Sequence, residues 1–256
     1  MSELAQFSDL KGTSVFITGG GSGIGASLTE GFIQQGAKVA FVQRSDATEF
    51  TQSLAEKYGT KPLFIQCDIT DIEALQQAVA TAAKAQGDIG ILINNAANDA
   101  RHSLEDFSAE QWERAMAVNL TPHFITAQAV APMMRRLGGG SIINFSSISY
   151  MMGNAGYPAY ATSKAAITGL TRSLARELGA NNIRVNALMP GWVLTEKQLE
   201  MWATPEDLAK HLERQCLKEH LAPQDIVDAT LFLASKASRM ITSQALVVDG
   251  GVVVTG

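Results

Sequence analysis

The sequence predicts an α/β fold built on a doubly wound parallel sheet of about seven strands, and two observations support this fold class. Short apolar runs rich in Val, Ile, Leu and Phe occur without polar alternation, which is typical of parallel strands covered on both faces. Longer amphipathic stretches lie between these runs, so strands and helices alternate along the chain. The predicted strands are residues 14–18, 39–43, 63–67, 91–94, 141–145, 184–189 and 245–248. The predicted helices are residues 25–35, 71–86, 109–137, 159–178 and 224–235.

The composition favours one domain over residues 1–256. Hydrophobic residues make up 46% of the 256 residues, enough for a large core, and no Pro/Ser-rich linker, repeat or low-complexity segment divides the chain. A length of this order is common for a single α/β domain. The segment 195–221 differs in composition, because it is charged and helical in pattern but has no strand. We interpret it either as a lid or substrate loop, or as a solvated helical excursion.

The charge balance and the residue spacing argue against several classes of protein. Twenty basic and 25 acidic residues give a net charge of −5, and no run of five like charges occurs, so no nucleic-acid partner is expected. The sequence has no basic segment leading into an apolar signal core and no run of about 18 apolar residues, so we expect a cytoplasmic protein without a membrane partner. The two cysteines, Cys67 and Cys216, and the four histidines show no metal-ligand spacing, so no metal site is expected.

A glycine-rich stretch from Thr18 to Gly25, Thr-Gly-Gly-Gly-Ser-Gly-Ile-Gly, joins the first predicted strand to the first predicted helix. Glycines allow a tight turn and let backbone N–H groups approach a pyrophosphate, to which the helix N-terminus adds partial positive charge. A glycine run alone can be only a flexible turn, and a Walker A loop would need a Lys-Ser/Thr pair after the last glycine. The position between strand and helix therefore predicts a dinucleotide-binding domain of the Rossmann type.

The end of the second predicted strand bears on the choice of cofactor. Dinucleotide sites often hold the adenine ribose at this point with an acidic side chain. Here the strand ends at Gln43 and Arg44. Gln43 would not repel a 2′-phosphate and Arg44 can pair with one, although Arg44 can also be an ordinary surface arginine. We therefore expect NADP to be accepted, alongside NAD.

Tyr160 and Lys164 lie four residues apart in a predicted helix, which places them on one face. A tyrosine acts as a base only after losing its proton, with a reference pKa of about 10. A neighbouring ammonium group lowers that pKa, and a positively charged nicotinamide ring would add to the effect. Taken alone, a Tyr-x-x-x-Lys pair is usually an ordinary helix surface.

Polar residues at the ends of two other predicted strands strengthen the case for a site. Ser147 follows the fifth strand, and Asn94 and Asn95 end the fourth. Open α/β sheets build their sites at the carboxyl ends of parallel strands, so a hydroxyl at Ser147 can hydrogen-bond a reacting oxygen. Asn119 lies inside an apolar helix pattern, where its amide serves either a structural hydrogen bond or a water relay.

Taken together, these residues closely resemble the short-chain dehydrogenase/reductase family over nearly the whole chain. The matching positions are the stretch from Thr18 to Gly25, Asp68, Asn94-Asn95-Ala96-Ala97, Asn119, Ser147, Tyr160, Lys164, Pro190-Gly191 and Asp249-Gly250-Gly251. Each is modest alone, but the full set in order and spacing is specific. Ala97 departs from the usual motif, which has glycine there, and adds only a methyl group.

The resemblance implies an NAD(P)-dependent oxidoreductase and the usual homotetramer of the family. Tyr160 would be the catalytic base, Lys164 would hold the nicotinamide ribose and lower the pKa of Tyr160, and Ser147 would orient the substrate oxygen. Asn119 would support a proton relay. The implied cofactor contacts are Gly19, Ser22, Gly23, Ile24, Gly25, Gln43, Arg44, Asp68, Ile69, Asn95, Ala96, Ala97, Tyr160, Lys164, Pro190, Gly191, Val193 and Thr195.

A narrower likeness, over residues 95–102, 143–149 and 215–218, is to sugar 1-dehydrogenases of this family. It implies oxidation at C1 of a pentose or hexose, such as L-arabinose, D-xylose, L-fucose or D-galactose, to the aldonolactone. Each hydroxyl of a sugar needs a polar partner once desolvated, and Trp192 or Trp202 can stack on a sugar ring. The expected substrate contacts are Asn98, His102, Ser147, Ser149, Asn154, Tyr160 and Trp192. Asp99 and Arg101 can equally be a solvated loop pair, and His102 a structural residue.

Two alternative functions remain at this stage. One is a reductase of 3-oxoacyl thioesters or a dehydrogenase of another secondary alcohol, which an apolar tunnel would favour over a polar pocket. The other is a non-catalytic dinucleotide-sensing protein. The presence of Ser147, Tyr160 and Lys164 together argues against a sensor, because a sensor does not need them.

Overall fold

The elements of the chain are seen in a computed structural model that describes residues 5–201 and 203–254. Its strands are β1 (Ser14–Thr18), β2 (Lys38–Gln43), β3 (Leu63–Gln66), β4 (Ile91–Asn94), β5 (Gly140–Phe145), β6 (Ile183–Pro190) and β7 (Ala245–Val248). Its helices are α1 (Gly23–Gln34), α2 (Thr48–Tyr58), α3 (Ile72–Gln86), α4 (Ala109–Asn119), α5 (Thr121–Arg136), α6 (Ser149–Met152), α7 (Pro158–Leu178), α8 (Glu196–Met201), α9 (Pro205–Arg214) and α10 (Pro223–Ala234). Short 3-10 turns cover Ser8–Leu10, Gly179–Asn181 and Lys236–Ser238.

All seven strands lie in one parallel sheet with the order β3-β2-β1-β4-β5-β6-β7. The predicted fold class, a doubly wound parallel sheet of the Rossmann type, is therefore confirmed. The strand order reverses direction between β1 and β4. Ligands of open α/β sheets bind at such a switch point, outside the carboxyl ends of the strands.

The core lies on both faces of the sheet. β1 is buried along its length, and Val15 and Ile17 pack on the face covered by α1 and α10. Phe16 points to the opposite face, which α3, α5 and α7 cover. Two covered faces explain why the strands are apolar without alternation.

The helix predicted over residues 109–137 is in fact two helices. Leu120, with φ −126° and ψ −52°, separates α4 from α5. Pro122 lies in the first turn of α5 and has no N–H to donate to the carbonyl of Val118, so the hydrogen-bond ladder of α4 cannot continue through it. Asn119 is consequently the last residue of α4 and not a mid-helix residue.

Segment 195–221 contains α8 and α9 and is tied to the sheet at its end. Leu221 forms an isolated parallel bridge with Val193, and the N–H of Leu194 donates to the Leu221 carbonyl at 2.9 Å. The expectation of no strand pairing in this segment therefore holds except for this single bridge. Within residues 5–201 and 203–254, no helix is long and apolar enough to span a bilayer.

Candidate active site

An open cleft of about 1380 Å³ lies at the carboxyl ends of the central strands. Most of the residues predicted for the site line it. They are Gly19, Ser22, Gly23, Ile24, Gly25, Asn95, Ala96, Ala97, Ser147, Ser149, Asn154, Tyr160, Lys164, Pro190, Gly191, Trp192, Val193 and Thr195. The cleft thus joins the glycine-rich turn at one end to Tyr160 and Lys164 at the other.

The glycine-rich turn has the geometry of a phosphate cradle. Gly19 has a φ of +70°, and a side chain at Gly25 would overlap the carbonyl oxygen of Gly19. Ser22 precedes α1, and its side chain makes no capping hydrogen bond to the first turn of the helix. The amide of Asn95 donates to the carbonyls of Thr18 and Gly19, at 3.1 Å each, and so holds the turn against β4. A helix start of this kind fits a pyrophosphate.

The residues predicted at the adenosine end, Gln43, Arg44, Asp68 and Ile69, lie at the ends of β2 and β3, beyond the lining of the cleft. Arg44 is exposed. Hydrogen bonds from the backbone N–H and hydroxyl of Thr70, with a smaller effect of the charge of Arg44, lower the pKa of Asp68. Ile69 packs against the core on the α3 face, so its side chain is engaged in the core.

Lys164 is buried behind Tyr160 on the same face of α7. It is 2% exposed, its Nζ donates to the Phe145 carbonyl at 2.8 Å, and it lies 5.4 Å from the centre of the Tyr160 ring. Burial lowers the pKa of Lys164 to about 7, although the charge of Asp99 opposes that shift. A buried ammonium group loses solvation, which favours the neutral amine.

The pKa of Tyr160 is raised above its ordinary value. Burial of the phenol is the largest cause, and the charge of Asp99 adds to it, while a hydrogen bond with Ser147 and the charge of Arg101 act in the opposite direction. This differs from the sequence-based expectation that Lys164 lowers the pKa of Tyr160. Burial disfavours the phenolate more than its neighbours favour it. The protein alone therefore keeps Tyr160 as a neutral phenol.

The side chain of Asn119 makes structural hydrogen bonds and does not line the cleft. Its Oδ1 accepts from the backbone N–H of Asn98 at 2.7 Å, and its Nδ2 donates to the Asn98 carbonyl at 3.1 Å. Of the two roles that the sequence left open, these bonds correspond to the structural one. They hold the loop after β4 against the end of α4.

Two residues predicted to contact substrate, Asn98 and His102, lie outside the cleft lining. Asn98 Oδ1 accepts from the N–H of Ala100 at 3.2 Å. His102 Nε2 accepts from the N–H of Ala159 at 3.3 Å, so its proton is on Nδ1, which donates to the Ala100 carbonyl at 3.2 Å. Both side chains help to shape the loop and the start of α7, and their contact with substrate stays a prediction.

The cleft also contains polar residues beyond the seven expected substrate contacts. Asp99 lines it and meets Lys197 at 3.3 Å and Gln198 at 3.0 Å, both on α8. Gln198 in turn accepts a hydrogen bond from the indole N–H of Trp192 at 2.9 Å, and His211 lies edge-on to that indole. Asp99 stands next to the predicted Asn98, but no motif marks Gln198 or His211.

Two observations concern other expectations for the site. Trp202, the second candidate for stacking on a sugar, lies outside the described residues. Within the two described ranges, 5–201 and 203–254, no group of three or more His, Cys, Asp and Glu side chains is placed to hold a metal ion.

Comparison with known proteins gives consistent matches over almost the whole chain. Residues 19–253 match the family described as enoyl-(acyl carrier protein) reductase. A probable galactose dehydrogenase, GalD of Rhizobium meliloti, is 49% identical over 97% of this chain and 98% of its own. The D-xylose 1-dehydrogenase of Caulobacter vibrioides is 44% identical over 96% of this chain and 98% of its own.

A solved structure has the same architecture. The crystal structure of blue fluorescent protein from a metagenomic library, in complex with NADPH, superposes with a TM-score of 0.87 and 32% sequence identity. The match covers 96% of this chain and 100% of that chain.

Proposed function

Because the chain belongs to the short-chain dehydrogenase/reductase family, we propose that it is an NAD(P)-dependent dehydrogenase that oxidises an aldose at C1 to the aldonolactone. Its relatives named as galactose and D-xylose dehydrogenases, at 49% and 44% identity, support a sugar substrate. The substrates we propose are D-galactose, L-arabinose, D-xylose and L-fucose. One observation carries the proposal: polar side chains line the cleft that contains Tyr160, and a sugar bound there needs hydrogen-bond partners.

The polar lining beside Tyr160 suits a polyol. Ser149, Asn154, Asp99 and Gln198 all line the cleft. The hydroxyl oxygen of Ser149 is buried and has no hydrogen-bond partner among the residues that the structure describes. That oxygen has almost no accessible surface, so the polar groups that the cleft offers to a sugar are those of Asn154, Asp99 and Gln198. An acyl chain or a steroid would place apolar surface against these polar groups.

The proposed reaction is a proton transfer coupled to loss of a hydride from C1. Tyr160, as the phenolate, takes the proton of the anomeric hydroxyl, and Ser147 hydrogen-bonds the same oxygen. A bound oxidised nicotinamide supplies the hydride acceptor and a positive charge beside the phenol. Lys164 holds the nicotinamide ribose, and Asn119 supports the site by holding the loop after β4. The lactone that forms is then opened by water.

We propose NADP as an accepted cofactor, with NAD used as well. The glycine-rich turn and the row of residues from Asn95 to Ala97 would hold the dinucleotide, and Pro190, Val193 and Thr195 would flank the nicotinamide. Arg44 is exposed at the end of β2, where a 2′-phosphate would lie.

Replacing Arg44 by Gln tests the cofactor assignment. Loss of a charged partner should lower kcat/KM with NADP+ by about 10- to 100-fold and change kcat/KM with NAD+ little. An equal change with both cofactors would exclude a 2′-phosphate contact at Arg44.

Substrate class is tested with purified protein, NADP+ or NAD+, and absorbance at the reduced-nicotinamide band. The panel contains the four aldoses, simple secondary alcohols and, in the reducing direction, 3-oxoacyl thioesters. Rapid reduction of the cofactor with one or more aldoses is the expected result. Turnover only of the alcohols or thioesters would retain the family chemistry and reject the sugar, and binding of cofactor without any turnover would favour a dinucleotide sensor.

We also propose a homotetramer, as is usual in the family. Two exposed aromatic side chains, Trp112 on α4 and Phe124 on α5, are consistent with a surface covered in an assembly. Light scattering should give four times the 27.3 kDa mass of one chain. A single-chain mass at micromolar concentration would exclude the tetramer.

A further inference from the structure

A chain of side-chain contacts, two hydrogen bonds and one ring contact, lines the cleft and joins the loop after β4 to the helices α8 and α9. Gln198 on α8 is its centre, because its Nε2 donates to Asp99 Oδ2 at 3.0 Å and its Oε1 accepts from Trp192 Nε1 at 2.9 Å. Trp192 continues the chain to His211 on α9, with ring centres 5.4 Å apart and the rings nearly perpendicular. All four residues line the cleft.

The chemistry of the two end groups fixes the orientation of the Gln198 amide. An indole N–H can only donate and a carboxylate can only accept, so the amide oxygen must face Trp192 and the amide nitrogen must face Asp99. Gln198 therefore sets the position of a carboxylate and an aromatic ring relative to each other. An apolar ring face next to a hydrogen-bond acceptor is the combination that a sugar ring requires.

Asp99 retains the capacity to bind a further donor. Lys197 meets Oδ1 at 3.3 Å and Gln198 meets Oδ2, but an ionised carboxylate has about four acceptor positions. Asp99 lines the same cleft as Tyr160 and Lys164, and its charge raises the pKa of both groups. A carboxylate in that cleft can accept a hydrogen bond from a hydroxyl of the bound substrate.

We propose that Asp99 is a specificity-determining residue of the sugar site. Its carboxylate accepts a hydrogen bond from the substrate hydroxyl adjacent to the reacting carbon. Gln198 fixes the position of the Asp99 carboxylate relative to the Trp192 ring. This inference rests on the proposed function, since it requires an aldose in the cleft. It assigns discrimination between a sugar and its 2-deoxy analogue to one carboxylate, and it gives segment 195–221 a role in forming the substrate site.

The closing experiment compares D-galactose with 2-deoxy-D-galactose in the wild type and in Asp99→Asn, using whichever of NADP+ and NAD+ the enzyme prefers. Loss of a hydrogen bond to a charged group corresponds to about 10- to 100-fold in kcat/KM. We expect the wild type to prefer D-galactose, and the variant to lose that preference by about this factor, mainly through a higher KM for D-galactose. If another of the four aldoses is the better substrate, it is compared with its own 2-deoxy analogue.

A second measurement separates this role from a merely structural one. The charge of Asp99 raises the pKa of Tyr160, so removing the charge should lower that pKa and move the acidic limb of the kcat profile to lower pH. Gln198→Leu should weaken the preference for the 2-hydroxyl but leave this limb in place, because Asp99 keeps its charge. Asp88→Asn, which removes a half-buried carboxylate paired with Arg136 outside the cleft lining, is the matched control and should alter neither measurement.

The outcomes distinguish the inference from the function on which it rests. A wild type that oxidises no aldose contradicts the proposed function and overturns the inference with it. A wild type that oxidises aldoses, combined with an Asp99→Asn variant that is folded by thermal unfolding and keeps the full preference for the 2-hydroxyl, overturns the inference alone.

Discussion

Burial controls the protonation of both titratable residues at the end of the cleft. It lowers the pKa of Lys164 to about 7 and raises that of Tyr160, so both groups tend to the neutral form in the protein alone. A buried general base needs a nearby positive charge to exist as an anion. In the proposed reaction the base and the cofactor therefore depend on each other, and Ser147 is a hydrogen-bond partner of Tyr160.

Replacement of Tyr160 by Phe tests the assignment of the base. Without the hydroxyl there is no proton acceptor, so kcat should fall by at least about 100-fold while the affinity for the cofactor changes little. Steady-state rates and cofactor titration measure the two quantities. Tyr150→Phe removes a tyrosine hydroxyl outside the cleft lining and should keep normal kcat. A Tyr160→Phe variant with wild-type kcat would disprove the role.

The sequence indicates which kinds of residue form the site, but it does not show which of their side chains line the cleft. Tyr160 and Lys164 were placed together by helix spacing, and the structure has them on one face of the cleft. In the loop after β4 there is no such period, and the structure has Asp99, but not Asn98, among the residues that line the cleft. Local turns determine which neighbour points inward, and a single sequence does not specify them.

At the scale of elements, the turn between β1 and α1 depends on the close approach of two backbone segments. Gly25→Ala should lower the free energy of unfolding by about 1–3 kcal/mol, because the methyl group would overlap the Gly19 carbonyl oxygen, and it should weaken cofactor binding. Chemical denaturation and cofactor titration measure these effects.

Gly179→Ala is the matched control for that variant. Gly179 ends α7 with helical angles, φ −58° and ψ −36°, and a methyl group there would meet open space. This change should raise the free energy of unfolding by about 0.4–1 kcal/mol. If Gly179→Ala lowered the free energy of unfolding as much as Gly25→Ala does, the overlap with the Gly19 carbonyl oxygen would not be the cause of the loss.

The strands were predictable from sequence because each is mostly apolar, whereas two features of the helices were not. α2 buries only Thr51 and Leu54, so its apolar period is too weak to recognise. The break between α4 and α5 depends on Pro122 at the start of α5, inside an otherwise continuous helical pattern. Proline in such a pattern can kink a helix or start a new one, and only the packing decides between these.

For the whole molecule, the burial of Lys164 should be visible in the pH dependence of stability. The unfolded chain binds the lysine proton up to its reference pKa of about 10.4, and the folded protein only up to about pH 7. Because the unfolded state binds more protons in between, the contribution of this group to stability rises with pH from about 7 to about 10.

Lys164→Met should remove that contribution. The slope of unfolding free energy against pH should become smaller by at most about 1.4 kcal/mol per pH unit over this range, in the absence of cofactor. Chemical denaturation at several pH values measures the slope. Equal slopes in the variant and the wild type would mean that Lys164 keeps an ordinary pKa when buried.

The central claim is oxidation at C1, and a blocked substrate tests it most directly. Methyl β-D-galactopyranoside has every hydroxyl of D-galactose except the one at C1, so a C1 dehydrogenase cannot use it. The measurement is the initial rate of cofactor reduction with each compound at equal concentration. We predict reduction with D-galactose, or with another free aldose in place of it, and none with the matching methyl glycoside. Equal rates with the free and blocked sugars would contradict the account, because the enzyme would then oxidise a hydroxyl other than the one at C1.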